Sequence, residues 1–246
     1  MRSTIRTIVL AVLLSLVTVL ATMAAETVVL EPARDTTLIE DPDGALANGA
    51  GPAIFAGRTN QSTGSIRRGL LFFDVASAVP RTALIDSVAL TLTVTPGNPG
   101  PVDIRVLRVL DDWGEGASYS AGGRGAPSEP GDATWLHTFY AQEFWEYAGG
   151  QFVGRASGRL TVDGPGSYVV PSSIHLVQDV RLWVMAPGQN FGWILIGDET
   201  ARGTAQAFAS REDPDPAARP MLTVTYRMPG ERKVQPPVPR IATDVP

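Results

Sequence analysis

The sequence predicts an all-β, jelly-roll-like β-sandwich carrying one short helix, and three observations predict it. Apolar and polar residues alternate with period two over several short runs, which puts one face of each run in a core and the other in water. Glycine and proline, 25 and 20 of 246 residues, fall between those runs as turn signals. No regular strand-helix alternation accompanies them, so a parallel sheet is not indicated. Hydrophobic residues at 44% and charged ones at 18% are enough to build a core, which excludes a disordered chain.

The chain opens on an address. Arg2 and Arg6 precede a mostly apolar run from Ile8 to Leu20, and small residues from Ala21 to Ala25 follow. A membrane span needs about 20 apolar residues. The shorter run therefore makes residues 1–25 a secretory signal peptide, and the mature chain is expected to be secreted, extracellular or at a cell surface. Without Arg2 and Arg6, 18 basic side chains face 25 acidic ones. That negative surplus disfavours a nucleic-acid partner and slightly disfavours acidic polymers. Cysteine is absent, which excludes disulfides, thiolate nucleophiles and thiolate metal sites.

The domain is expected over 26–228. Thr27 to Leu30 is its first strand candidate, and Gly69 to Val75 is apolar on both faces, as a central strand is. From Ser87 to Thr95 the alternation is strict, with Val88, Leu90, Leu92 and Val94 on one face. Pro96-Gly97-Asn98-Pro99-Gly100 then turns the chain, and Val102 to Leu110 resumes in extended form, which predicts a hairpin. Arg159 to Val162, Tyr168 to Val170, Trp193 to Ile196 and Gln206 to Ser210 are shorter candidates. In the last strand Leu222, Val224 and Tyr226 alternate with Thr223 and Thr225. The helix is expected over Ser173 to Met185, capped by Ser172 or Ser173, with Ile174, Val177, Val180 or Arg181, and Val184 at helical spacing. Residues 229–246 hold five prolines and read as an extended, mobile tail.

Several segments carry a family resemblance in their order. They are Arg68 to Val75, Ile85 to Leu92, Asp111-Asp112-Trp113-Gly114-Glu115-Gly116 followed by Ala133-Thr134-Trp135, and Trp145 to Phe152 with its double glycine. Val180 to Trp183, Pro187 to Gly192, and Phe208 to Glu212 leading to Arg219 to Tyr226 complete the set. Together they resemble the exported DNRLRE-type domain grouped with the carbohydrate-binding modules, over roughly Ala25 to Met228, with Ser210-Arg211-Glu212 as the nearest trace of the eponymous hexapeptide. The resemblance implies a secreted jelly-roll sandwich that binds glycans.

Sugar rings present flat C–H faces, so a glycan site needs exposed aromatic platforms flanked by hydrogen-bonding side chains. Trp145, Tyr147 and Tyr119 are the platform candidates, because glycine and polar residues surround them. Trp113 and Trp135 are further candidates, although their places beside predicted strand ends favour a core. Arg124 is the polar partner expected beside the rings. Structural calcium is a second expectation, since hard cations take carboxylate oxygens. Asp35, Glu40 and Asp41 near the first strand, with Asp198 and Asp213 near the last ones, are its leading candidate ligands, and Asp43, Glu199, Glu212 and Asp215 are further acidic candidates in the same two regions. Acidic turns explain the same residues without metal. Asp111, Asp112 and Glu115 read as a turn before a tryptophan, and Arg211-Glu212 as a structural ion pair.

Support for catalysis is poorest. No nucleophile elbow, zinc motif or phosphate loop is present, and His137 with Tyr140 is the one acid-base pairing that can be named. The expected function is non-catalytic polysaccharide binding. A structural cell-surface or matrix protein with self-association is the first alternative, and a polysaccharide lyase-like enzyme the second.

Overall fold

The computed structural model describes residues 24–97 and 100–229. Residues 1–23 of the expected signal peptide, Asn98 and Pro99 of the expected turn, and residues 230–246 of the expected tail lie outside the described residues. The strands are β1 (Glu26–Leu30), β2 (Arg34–Ile39), β3 (Leu46–Ala47), β4 (Ala53–Arg58), β5 (Ile66–Phe72), β6 (Leu84–Val94), β7 (Pro101–Arg108) and β8 (Ala126–Pro127). They continue with β9 (His137–Phe139), β10 (Glu143–Phe144), β11 (Gly158–Asp163), β12 (Gly166–Val170), β13 (Trp193–Ile196), β14 (Gln206–Ala209) and β15 (Met221–Arg227). The α-helices are α1 (Val75–Ala78) and α2 (Ile174–Met185). Neither is long and apolar enough to cross a membrane.

The architecture is an all-β sandwich with antiparallel pairing. Its main path runs β1-β15-β6-β14-β4-β5-β13-β7-β11, with β12 added on β6 and β2 on β5. β4 serves both layers: Ala53 to Ala56 pair with β14, whereas Gly57 and Arg58 pair with β5. Gly57 makes that bend possible, because its φ is +116° and a Cβ there would come 2.8 Å from the Thr204 carbonyl oxygen.

Between the layers, Leu90, Leu92 and Val94 of β6 share a core with Ile104 and Val106 of β7, Leu71 of β5 and Trp193 of β13. The alternation read in β6 is thus its inward face. The expected hairpin is corrected, however: β6 pairs with β15, β12 and β14, while β7 pairs with β11 and β13 in the opposite layer. Alternation alone does not tell the two arrangements apart, because two strands that face each other over a core show the same pattern as two that pair edge to edge.

β5, β7 and β13 also bury their outward side chains. Leu70, Leu107, Ile194 and Ile196 join Leu38, Trp113, Ala133 and Trp145 in a second core under the chain between β7 and β11. That is the two-faced apolarity read in Gly69 to Val75. Helix α2 starts where expected, with Ser173 Oγ accepting the Leu176 N–H at 3.0 Å. Its inward residues are Leu176, Asp179, Val180, Trp183 and Val184, whereas Ile174 is exposed, so the expected phase is rotated.

Candidate functional site

Of the aromatic platforms expected between Trp113 and Tyr147, two are buried. Trp113 is fully enclosed, its indole N–H donating to the Phe191 carbonyl at 2.8 Å while the Arg34 guanidinium covers the ring at 4.8 Å. Trp145 is 5% exposed and donates to the Thr134 carbonyl at 3.0 Å. Trp145 is thereby corrected from platform to core, and Trp113 takes the core place that its position beside a strand end favours: a loop laid over the outer face of β5, β7 and β13 needs large apolar groups to exclude water there. Trp135 is half-buried beneath the Arg68 guanidinium, 4.8 Å from its ring. Arg68 is itself held by Glu199 in a two-pronged pair at 2.7 and 2.9 Å and by the Gly149 carbonyl. Gly149, at φ +86°, has no room for a side chain, because a Cβ would reach within 2.7 Å of Trp135.

Tyr147 and Tyr119 do stand in solvent, at 64% and 61% exposure. Tyr147 borders a shallow hollow of about 310 Å³ with Arg68, Gln151 and Phe152. Its phenol is held above the ordinary pKa by a hydrogen bond and the charge of Glu146. Tyr119 lies on a loop fastened at both neighbours, through Ser118 O to the Ala50 N–H and Ser120 N–H to Asn48 Oδ1.

A roomier concavity lies elsewhere, and of the expected site residues it holds only Arg124. It is a groove of about 540 Å³ on the outer side of β4 and β14. Phe55 forms the half-buried floor, and Ala205 and Ala207 beside it are short enough to leave the hollow. Thr59, Asn60 and Gln61 line one wall and Gly123 with Arg124 another, with Pro96 and Gly97 completing the rim. Arg67 fixes those two walls from below. Buried to 1% exposure, it donates to the carbonyls of Gly64, Ile66 and Gly123 and to Gln61 Oε1. Burial lowers its pKa to about 10, opposed by the charge of Glu40. Sequence reasoning missed Phe55 because Ala53 to Arg58 shows no clean alternation, and it met Asn60 and Gln61 only within Asn60-Gln61-Ser62, which fits a glycosylation acceptor but is too frequent a pattern to mark a site.

The five leading calcium candidates do not converge. Glu40 Oε2 accepts the N–H groups of Ser65 and Ile66, Asp41 Oδ1 those of Asp43 and Ala45, and Asp213 Oδ1 that of Asp215. Asp198 binds the Thr200 N–H and hydroxyl, and these bonds hold its carboxyl below the usual range. Asp35 alone joins an acidic group, and its companions are Glu115 and Glu212. Glu115 Oε1 accepts the Asp35 N–H at 2.8 Å, and Asp35 Oδ2 accepts the Arg211 N–H at 2.7 Å. The Arg211 guanidinium contacts Glu115 at 3.1 Å and Glu212 at 3.0 Å. Burial, then the neighbouring carboxylates, push Asp35 well up, and burial with Glu115 pushes Glu212 up.

His137 and Tyr140 meet edge to face with centroids 5.2 Å apart. His137 is buried, holds Thr134 Oγ1 through Nδ1 at 2.9 Å, and is shifted down by desolvation. Its ring also lies against Phe144, with centroids 4.3 Å apart. These contacts make it a strut of the β9–β10 turn. In comparisons with protein-family models and with curated proteins, nothing matches this chain.

Proposed function

We propose that the protein is an exported, non-catalytic polysaccharide-binding module whose site is the groove over Phe55. One observation carries the reading: a half-buried aromatic floor flanked by Thr59, Asn60, Gln61 and Arg124, in a hollow with walls pinned by a buried arginine. A ring offers its face to sugar C–H groups, amides and a guanidinium satisfy hydroxyls, and pre-fixed walls lower the entropy lost on binding. The secretion signal read in residues 1–25 and the DNRLRE-type resemblance point the same way. Tyr147 with Arg68, Gln151 and Phe152 is a lesser second contact surface.

Affinity electrophoresis of the purified protein through gels containing neutral or acidic polysaccharides tests this. Retardation by a polymer, abolished in Phe55→Ala and weakened in Arg124→Ala, is the expected result. Retardation that survives both substitutions overturns the groove, and its loss in Tyr147→Ala moves the site to the smaller hollow. Concentration-dependent self-association without any retardation favours the structural alternative.

A further inference from the structure

We propose that Asp35, Glu115 and Glu212 form a binding site for one divalent cation, calcium by ligand type, which ties three distant parts of the chain together. The inference stands apart from the polysaccharide reading. Asp35 comes from β2, Glu115 from the segment after β7, and Glu212 from the connection between β14 and β15.

Two carboxylate oxygens carry the argument. Asp35 is 1% exposed, yet its Oδ1 has no hydrogen-bond partner, and the buried Glu212 Oε2 has none either. Enclosed acceptors without partners are costly, and they call for a proton or a cation. No N–H or hydroxyl of the described residues donates to either oxygen. One ligand oxygen from each of the three side chains lies within 4.8 Å of the others. Two ligands of one ion at the calcium–oxygen distance of about 2.4 Å lie at most twice that distance apart, a limit that all three pairs meet.

Charge agrees with geometry. Three carboxylates face a single guanidinium, that of Arg211, which leaves two negative charges that one divalent ion cancels. Arg34, which precedes Asp35 in the chain, is engaged by Asp112 at 2.9 Å and by the Trp113 carbonyl. Glu115 and Glu212 keep part of their side chains in solvent, which admits the waters that complete a coordination shell of 6–8 oxygens. Glu115 is also positioned by close packing, since a Cβ at Gly49 would collide with the Glu115 carbonyl oxygen. Calcium is favoured over magnesium because three carboxylates beside an arginine impose no octahedron, and calcium tolerates irregular geometry.

The test is thermal unfolding of chelator-treated protein with and without calcium chloride alone, together with terbium luminescence sensitised through tryptophan. Calcium at about a hundred times its dissociation constant is expected to raise Tm by roughly 5–10 °C. Terbium emission is expected to appear and to be displaced by calcium. In Glu115→Gln and Glu212→Gln the calcium increment is expected to fall below about a third of the native value, while their own melting transitions in chelator show that they fold. A native Tm unchanged by calcium with no sensitised emission overturns the proposal, and so does an undiminished increment in both variants.

Discussion

Trp193 donates its indole N–H to the Asp179 carboxylate at 2.9 Å, joining the middle of the second layer to helix α2. Asp179 also pairs with Arg108 at 3.1 Å and accepts the Ser157 hydroxyl, so one carboxylate holds β7, β13 and the start of β11 to the helix. Asp179→Ala leaves three donors facing an enclosed space, which is expected to cost about 3 kcal/mol. For a domain of this size that lowers Tm by roughly 6–12 °C. Polysaccharide retardation of the folded variant is expected to be native, because the groove is formed by other elements. A fall in Tm of less than about 2 °C would show that the helix is held by apolar packing alone.

Trp145 and Tyr147 are two residues apart and differ in what they bury. Trp145→Ala empties a site in the second core and is expected to cost about 3–5 kcal/mol, whereas Tyr147→Ala stays within about 0.5 kcal/mol. Urea unfolding of the two variants checks the contrast. Equal stabilities would mean that the segment over β5, β7 and β13 is not a packed core.

The same pair shows what the sequence can reveal. Strand β6, helix α2 and strand β15 are legible because period and capping are local properties, written within ten or so neighbouring residues. The fate of a tryptophan in a loop is not local. Trp145 is buried because Leu38, Leu70 and Ile194, each from another part of the chain, present an apolar face for it to cover. The groove shares this property, for Phe55 and Arg124 meet only through folding, and so does the acidic group, whose members are 80 and 97 residues apart along the chain. Sequence reading found Asp35 and Glu212 as acidic residues, but it took Glu115 for part of a turn.

Arg67 makes the walls of the groove interdependent. Its guanidinium forms bonds that a lysine cannot reproduce, because an ammonium lacks the planar fork that reaches Gly64, Gly123 and Gln61 together. Arg67→Lys is expected to destabilise the fold by about 2 kcal/mol and to speed amide exchange at residues 121–125. Polysaccharide affinity is expected to fall by about tenfold through loss of wall positioning. Native exchange rates in that segment would show that the wall stands without Arg67.

Protonation of the acidic group sets the sign of a pH effect. Asp35 and Glu212 are both raised, first by burial, so without a cation the folded chain holds protons that the unfolded chain releases near pH 4, about the ordinary carboxylate value. Stability from these groups is therefore greatest below that pH and is lost as pH rises through their folded values. His137 acts oppositely. Desolvation lowers it, so its contribution grows as pH climbs toward 6.5. Asp86 and Asp198, held down by Arg227 and Thr200, act only as pH falls below about 4. Comparing native protein with Asp35→Asn in chelator removes the terms the two share. The native Tm minus the variant Tm is expected to become more negative between pH 4.5 and 7, and calcium is expected to reverse that trend, because the ion binds best once the protons have left. A difference independent of pH in chelator would mean that Asp35 is ionised throughout, with Arg211 alone balancing its charge.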